Sequence, residues 1–157
     1  MWLLYLLFAA MLTFVGTFRA VVPQVAMDPI PIVTPAPLVG VEERQILSLI
    51  NGIRARQGLS PLSYDARLER VGDIRASQLP EKGPLPHENF VELGAEQGII
   101  GGTFSENLAR ASSIEYAWEL WRGSPSHYDN FLRPWRIVGI GIEHRGVTVY
   151  IAIEFHD

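Results

Sequence analysis

The stretch TFSENLARASSIEYAWELWRGSPSHYDN, residues 103–130, decides the reading of the fold. Thr103 to Ala109 is mostly apolar or small and reads as a strand. One ionisable residue, Glu106, interrupts it. Ser112 or Ser113 then supplies a side-chain oxygen for the free N–H groups of a third helix, which carries Trp118 and Trp121. Their spacing of three places both rings on one face, so they are core residues. Ser124-Pro125 opens a short fourth helix, with serine at the N-cap and proline where no amide donor is needed. That helix must end before Pro134.

Downstream, Arg136 to His144 and Gly146 to Phe155 are rich in β-branched residues and alternate or run apolar. They read as a hairpin turning at Arg145-Gly146. Upstream, Val41 to Gln57 places Ile46, Leu49, Ile50 and Ile53 at helical spacing, and Gly58 ends the helix. Asp65 caps a second helix from Ala66 to Leu79, with Leu68 and Val71 inward and Pro80 as its stop. Residues 80–102 are rich in Gly and Pro and read as an irregular loop with a short helix near Val91. Helices followed by a terminal hairpin predict an α+β layered domain over 41–157 with a small antiparallel sheet.

The chain opens differently. Trp2 to Phe18 is uncharged and apolar, and Arg19 ends the run. It sits between a signal-peptide core and a full bilayer span, so residues 1–22 read as a signal anchor or a signal peptide, with the membrane as partner through residues 2–18. Arg19 alone would place the rest of the chain in the cytoplasm. Pro23, Pro29, Pro31, Pro35 and Pro37 oppose that, because they make 23–40 a semi-rigid spacer suited to lifting a domain off a surface. The expected place is the outer face of a cell membrane, or the medium.

Composition narrows the classes. A net charge of -4, with Lys82 the only lysine, argues against nucleic acid. The absence of cysteine removes disulfides, thiolate metal sites and cysteine nucleophiles. The expected state is a monomer.

Four motifs resemble, in order and spacing, the CAP superfamily, also called SCP or pathogenesis-related-1-like. Asn51-Gly52-Ile53-Arg54, followed by Gly58-Leu59-Ser60-Pro61-Leu62 and Asp65, is similar to the family's opening. Arg75-Ala76-Ser77 leads to His87, where the family places its first cavity histidine. Ser105-Glu106-Asn107-Leu108-Ala109 resembles its G-E-N-[IL]-A strand. Trp121 to Asn130 resembles the bacterial W-x-x-S-P-x-H-x-x-N signature, and Val138-Gly139-Ile140-Gly141 the strand after it. The resemblance implies an α-β-α sandwich with a central antiparallel sheet and one open cleft gathering His87, Glu106 and His127. Many eukaryotic members carry a second glutamate where this chain has Ser124, and Glu88 stands where serine or threonine is commoner.

On their own chemistry, the three residues differ. His87 lies in a Pro-rich loop. His127 lies in the first turn of a capped helix, where free N–H groups favour anions. Glu106 in an apolar strand needs partners if it is to stay ionised, and it is either a site residue or a structural acceptor. Two imidazoles, supported by the carboxylate, suit zinc with an open position for water. Asn130 is expected to bond backbone beside the site. His144 and His156 read as solvated, and Glu154 is assigned no role. Three functions remain open: a cell-surface binding module for a metal, a lipid or a wall component; a metal-assisted or acid–base hydrolase of peptide, ester or glycan; and a structural adaptor.

Overall fold

The computed structural model describes residues 39–157. The expected anchor, 1–22, and nearly all of the linker, 23–40, lie outside the described residues. Among the described residues no helix is long and apolar enough to cross a membrane.

Helix α1, Val41–Arg56, buries Ile46, Ile50 and Ile53. It ends in a paired closure: Gly58, at φ +70, donates to Ala55 O, and Leu59 donates to Arg54 O. Only a residue at ease with positive φ can close a helix this way. Strand β1 is Ser63–Tyr64. Helix α2, Ala66–Gln78, begins where the Asp65 carboxylate accepts from the amides of Arg67 and Leu68. Helix α3, Phe90–Glu96, is the short helix expected near Val91. Strand β2, Phe104–Ala111, is followed by helix α4, Ile114–Arg122, which Ser113 caps by accepting from Tyr116 N. Helix α5, Pro125–Leu132, precedes strands β3, Ile137–Arg145, and β4, Thr148–His156.

The sheet order is β1-β3-β4-β2, which leaves β2 on an edge. The three long strands are antiparallel, as expected, but β1 adds a parallel pairing with β3 at Ser63↔Ile137 and Tyr64↔Val138. Two residues are too few to show a period, so the sequence offers no sign of β1. Strand alternation sorts the side chains into two layers. Val149, Ile151, Ile153 and Phe155 of β4 face α1, α4 and α5, where Trp118, Trp121 and Phe131 pack. Tyr150 and Ala152 face α2 with Leu108, Ala76 and Leu79. The result is an α-β-α sandwich.

Candidate functional site

The site grows from one dipeptide on the edge strand. Successive residues of a strand point to opposite faces, so Glu106 faces the α2 layer and Asn107 faces the α4–α5 layer. Each fastens a histidine-bearing segment on its own side of the sheet.

On the α2 side, Arg75 Nε donates to Glu106 Oε1 at 2.7 Å, and both side chains are buried. Arg75 Nη2 also reaches Glu106 Oε2, at 3.4 Å, and donates to Pro86 O. The arginine therefore ties the carboxylate and the loop bearing His87 to one helix. His87 Nδ1 lies 2.7 Å from Glu106 Oε2, while the ring stays half exposed. Burial pushes the Glu106 carboxyl up, but the hydrogen bonds with His87 and Arg75, together with the Arg75 charge, hold it below the usual range. Glu106 is thus an acceptor, and in neutral His87 the proton sits on Nδ1.

On the opposite side, Asn107 Nδ2 donates to His127 O at 3.0 Å, and Asn130 Nδ2 donates to Asn107 Oδ1 at 3.0 Å. The expected bond from Asn130 to backbone is not made by its side chain. That amide meets another side chain, while the Asn130 carbonyl accepts from Trp135 Nε1 at 2.8 Å. His127 Nδ1 lies 2.8 Å from Ser124 Oγ. Here a second expectation is corrected: Ser124 occupies the N-cap position of α5, but its hydroxyl caps no backbone amide. The histidine one turn on competes for it and wins. Burial, and then the charge of His87, pull the His127 pKa below its ordinary value.

His87, Glu106, Asn107, His127, Asn130 and Arg133 line one cavity of about 240 Å³ at the β2 edge. The loop, strand and helix expected to meet there do meet. Both rings have Nδ1 engaged, and neither Nε2 has a partner among the described residues. With hydrogen on each Nδ1, these two nitrogens are the atoms that could hold a cation. Glu106 fits as a support rather than a ligand, since both of its oxygens are occupied. Among the described residues no group of three or more His, Cys, Asp or Glu converges as a metal-holding set.

The model of the CAP, cysteine-rich secretory protein, family matches residues 47–153, which spans both layers and every residue of this cavity. The chain belongs to the CAP family. The Bacillus subtilis protein YkwD is 27% identical over 111 residues, 66% of this chain, and the match covers 43% of that protein's length. Among solved structures, an outer surface protein from Borrelia burgdorferi superposes with a TM-score of 0.67 at 20% identity, over 74% of this chain and 92% of that one. An extracellular protein containing an SCP domain from Bacillus anthracis superposes with a TM-score of 0.59 at 22% identity, over 72% of this chain and 39% of that one. At these identities the likeness establishes the CAP fold.

The other two histidines lie outside the CAP cleft. His144 Nε2 pairs with Glu42 Oε2 at 2.8 Å, and His156 Nε2 bonds Gly101 O at 2.8 Å, so neither is simply solvated. Two site residues escape the sequence reading, in which Arg75 is part of a motif without a role and Glu154 has none. Arg75 carries the carboxylate. Glu154 is wholly buried beside it, in register with Glu106 across β2 and β4. Its parity with Tyr150 and Ala152 is legible in the chain. Its pairing partner is not, because register depends on residues some fifty positions away.

Proposed function

We propose that this CAP domain is displayed outside the cytoplasm, secreted or held at a membrane through residues 2–18, as a binding module whose cleft takes a divalent cation weakly. The display reading is supported by the apolar run and the proline spacer. The names of two similar proteins, an outer surface protein and an extracellular protein, point the same way. Fractionation tests it: untagged full chain found free in the cytosol would overturn both anchoring and export.

The cleft reading is carried by one observation, the engagement of both Nδ1 atoms. A carboxylate or hydroxyl on one ring nitrogen orients the imidazole and makes the other nitrogen the better donor. Water would have to complete the coordination, and the ion would supply a local positive charge for a polar or anionic ligand. The lining residues are polar throughout, with Asp129 as well as Arg133, which suits a polar group of a wall component better than an acyl chain. Hydrolysis would need a nucleophile with an oriented base. Ser124 Oγ on His127 is one such pair, but among the described residues no carboxylate bonds the other nitrogen of that ring.

Calorimetric titration of the full chain in detergent with zinc is the test. Ligand imidazoles must be neutral, so binding should weaken as pH falls, and the His127 contribution should persist to below the ordinary histidine value because burial depresses its pKa. Affinity should also fall at least tenfold in a His87→Ala/His127→Ala variant. Equal affinity as pH falls, or in the variant, would place the ion elsewhere.

A further inference from the structure

Beneath the cleft lies a carboxyl group that the binding reading does not use. Glu154 is 0% exposed. Its register partners are Glu106 on β2 and Gly139 on β3. Gly139 offers no side chain, and α2 closes over it so tightly that a Cβ there would lie 2.0 Å from the Leu68 carbonyl carbon. The charged groups facing Glu154 are therefore Glu106 from β2 and Arg75 from α2. On its own strand His156, two residues on, is engaged with Gly101 O. The guanidinium nitrogens of Arg75 are bonded to Glu106, Pro86 O and Gln78, not to Glu154. Neither oxygen of Glu154 receives a hydrogen from any described residue.

An ionised carboxylate in that position would be without water, without donors and beside a second carboxylate, which is about the costliest setting a charge can have. A neutral acid fits it, because a carboxylic acid brings its own donor and Glu106 is the acceptor opposite. Charge balance agrees. One Arg75 cation offsets one carboxylate, and a second would leave the layer with a net buried negative charge.

We propose that Glu154 is a protonated acid that donates its hydrogen to Glu106, and so acts as a positioning residue for the carboxylate that holds His87. Burial, followed by the Glu106 charge and the hydrogen bond to it, pushes the Glu154 carboxyl well above its ordinary value. Glu106 thereby has a neutral partner on one side and Arg75 on the other, and its remaining acceptor capacity is aimed at Nδ1 of His87. The idea deepens the cleft reading and rests on it for its use, but the proton itself is present whether or not any cation binds.

The test is infrared spectroscopy of the full chain at pH 8 in a detergent without ester groups. At that pH the other carboxyl raised among the described residues, Asp73, whose pKa is pushed up to about 6 first by burial and then by Glu69 and its acidic neighbours, is ionised. The wild type should show a carboxylic-acid carbonyl band that shifts in D2O. Glu154→Gln should lack it, and Glu106→Gln, which frees the Arg75 cation, should weaken or abolish it. No band in the wild type, or the same band kept in Glu154→Gln, overturns the assignment, and the wild-type spectrum gives an answer even if Glu154→Gln does not fold. Where Glu154→Gln folds, pH-dependent urea denaturation gives a second reading. The native acid keeps a proton that the unfolded chain releases above about pH 4.3. The wild-type folding constant should therefore fall relative to Glu154→Gln, by up to tenfold per pH unit, as pH rises above that value. Parallel pH profiles would show an ionised Glu154. Failure of zinc to bind would refute the cation reading and leave this result untouched.

Discussion

The two faces of the sheet are built by opposite means. One is filled by large side chains: Trp121 and Trp118 lie against Phe131, with ring centroids 6.0 and 5.4 Å apart, and Phe131 lies 6.0 Å from Phe155. The other carries a smaller apolar cluster and, along β3, is closed by the absence of side chains. Gly72 of α2 lies over Gly141 of β3, and a Cβ on Gly141 would sit 1.9 Å from the Gly72 carbonyl carbon. The aromatic face gains stability from area removed from water. The glycine face brings a helix backbone down onto the sheet, and the layer it encloses holds ionisable groups: Arg75, Glu106 and Glu154. Apolar bulk fixes α4 and α5, whereas close approach fixes α2 at the height where a guanidinium reaches a strand carboxylate. The cleft draws one wall from each.

Truncation should therefore hurt one face and addition the other. Trp121→Ala should have the largest effect, about 3–5 kcal/mol, from the lost burial and the residual cavity. It also removes the Nε1 bond to Leu108 O on the open edge of β2. Urea denaturation measures this, and a loss under about 1 kcal/mol would mean that the aromatic layer does not carry the domain.

Gly141→Ala, an added methyl on a tight backbone contact, should cost about 3 kcal/mol, the upper part of the usual range for overpacking. The same denaturation series checks it. If the variant is as stable as wild type, α2 is free to lift and the contrast between the faces disappears. A drop in zinc affinity greater than that of Trp121→Ala would show that the height of α2 sets the cleft.

Ser124→Ala should cost less than about 1 kcal/mol, the ordinary net worth of one hydrogen bond. The hydroxyl serves His127 rather than the helix end, so helix content by circular dichroism should not change, while the NMR signals of the His127 ring should. Loss of helix instead would restore the capping role.

The smallest effect belongs to pH. His127 has a folded pKa below its unfolded value, so its contribution to stability is present above the unfolded histidine value and is lost as pH falls through the folded one. Between pH 7 and 5 the wild type should lose stability more steeply than His127→Asn. Identical slopes would mean that the cavity wall holding His127 is as wet as the solvent.

Much of this protein is legible locally. The Asp65 cap, the Gly58 closure, the tryptophan face of α4 and the terminal hairpin all depend on residues within a few positions of one another, where periodicity and capping chemistry act. A carboxylate inside an apolar strand marks Glu106 as a residue in need of partners. The Ser124 cap and strand β1 escape a local reading for related reasons. Ser124 has the position and chemistry of a cap, but a neighbour one turn away takes its oxygen. Ser63–Tyr64 is a strand only because β3 passes beside it.

Taken by itself, the chain determined its helices and hairpin, because these follow from short-range backbone preferences, and it marked Glu106 through the cost of burying charge, while the grouping of His87 and His127 with it came from the resemblance to the CAP family. The tertiary structure alone decided that Arg75 reaches Glu106, that Glu154 stands opposite it, and that His87 and His127 approach one cavity from opposite sides of a strand. Those facts depend on register and helix height, which arise when distant segments exclude water together and are written in no single stretch of the chain.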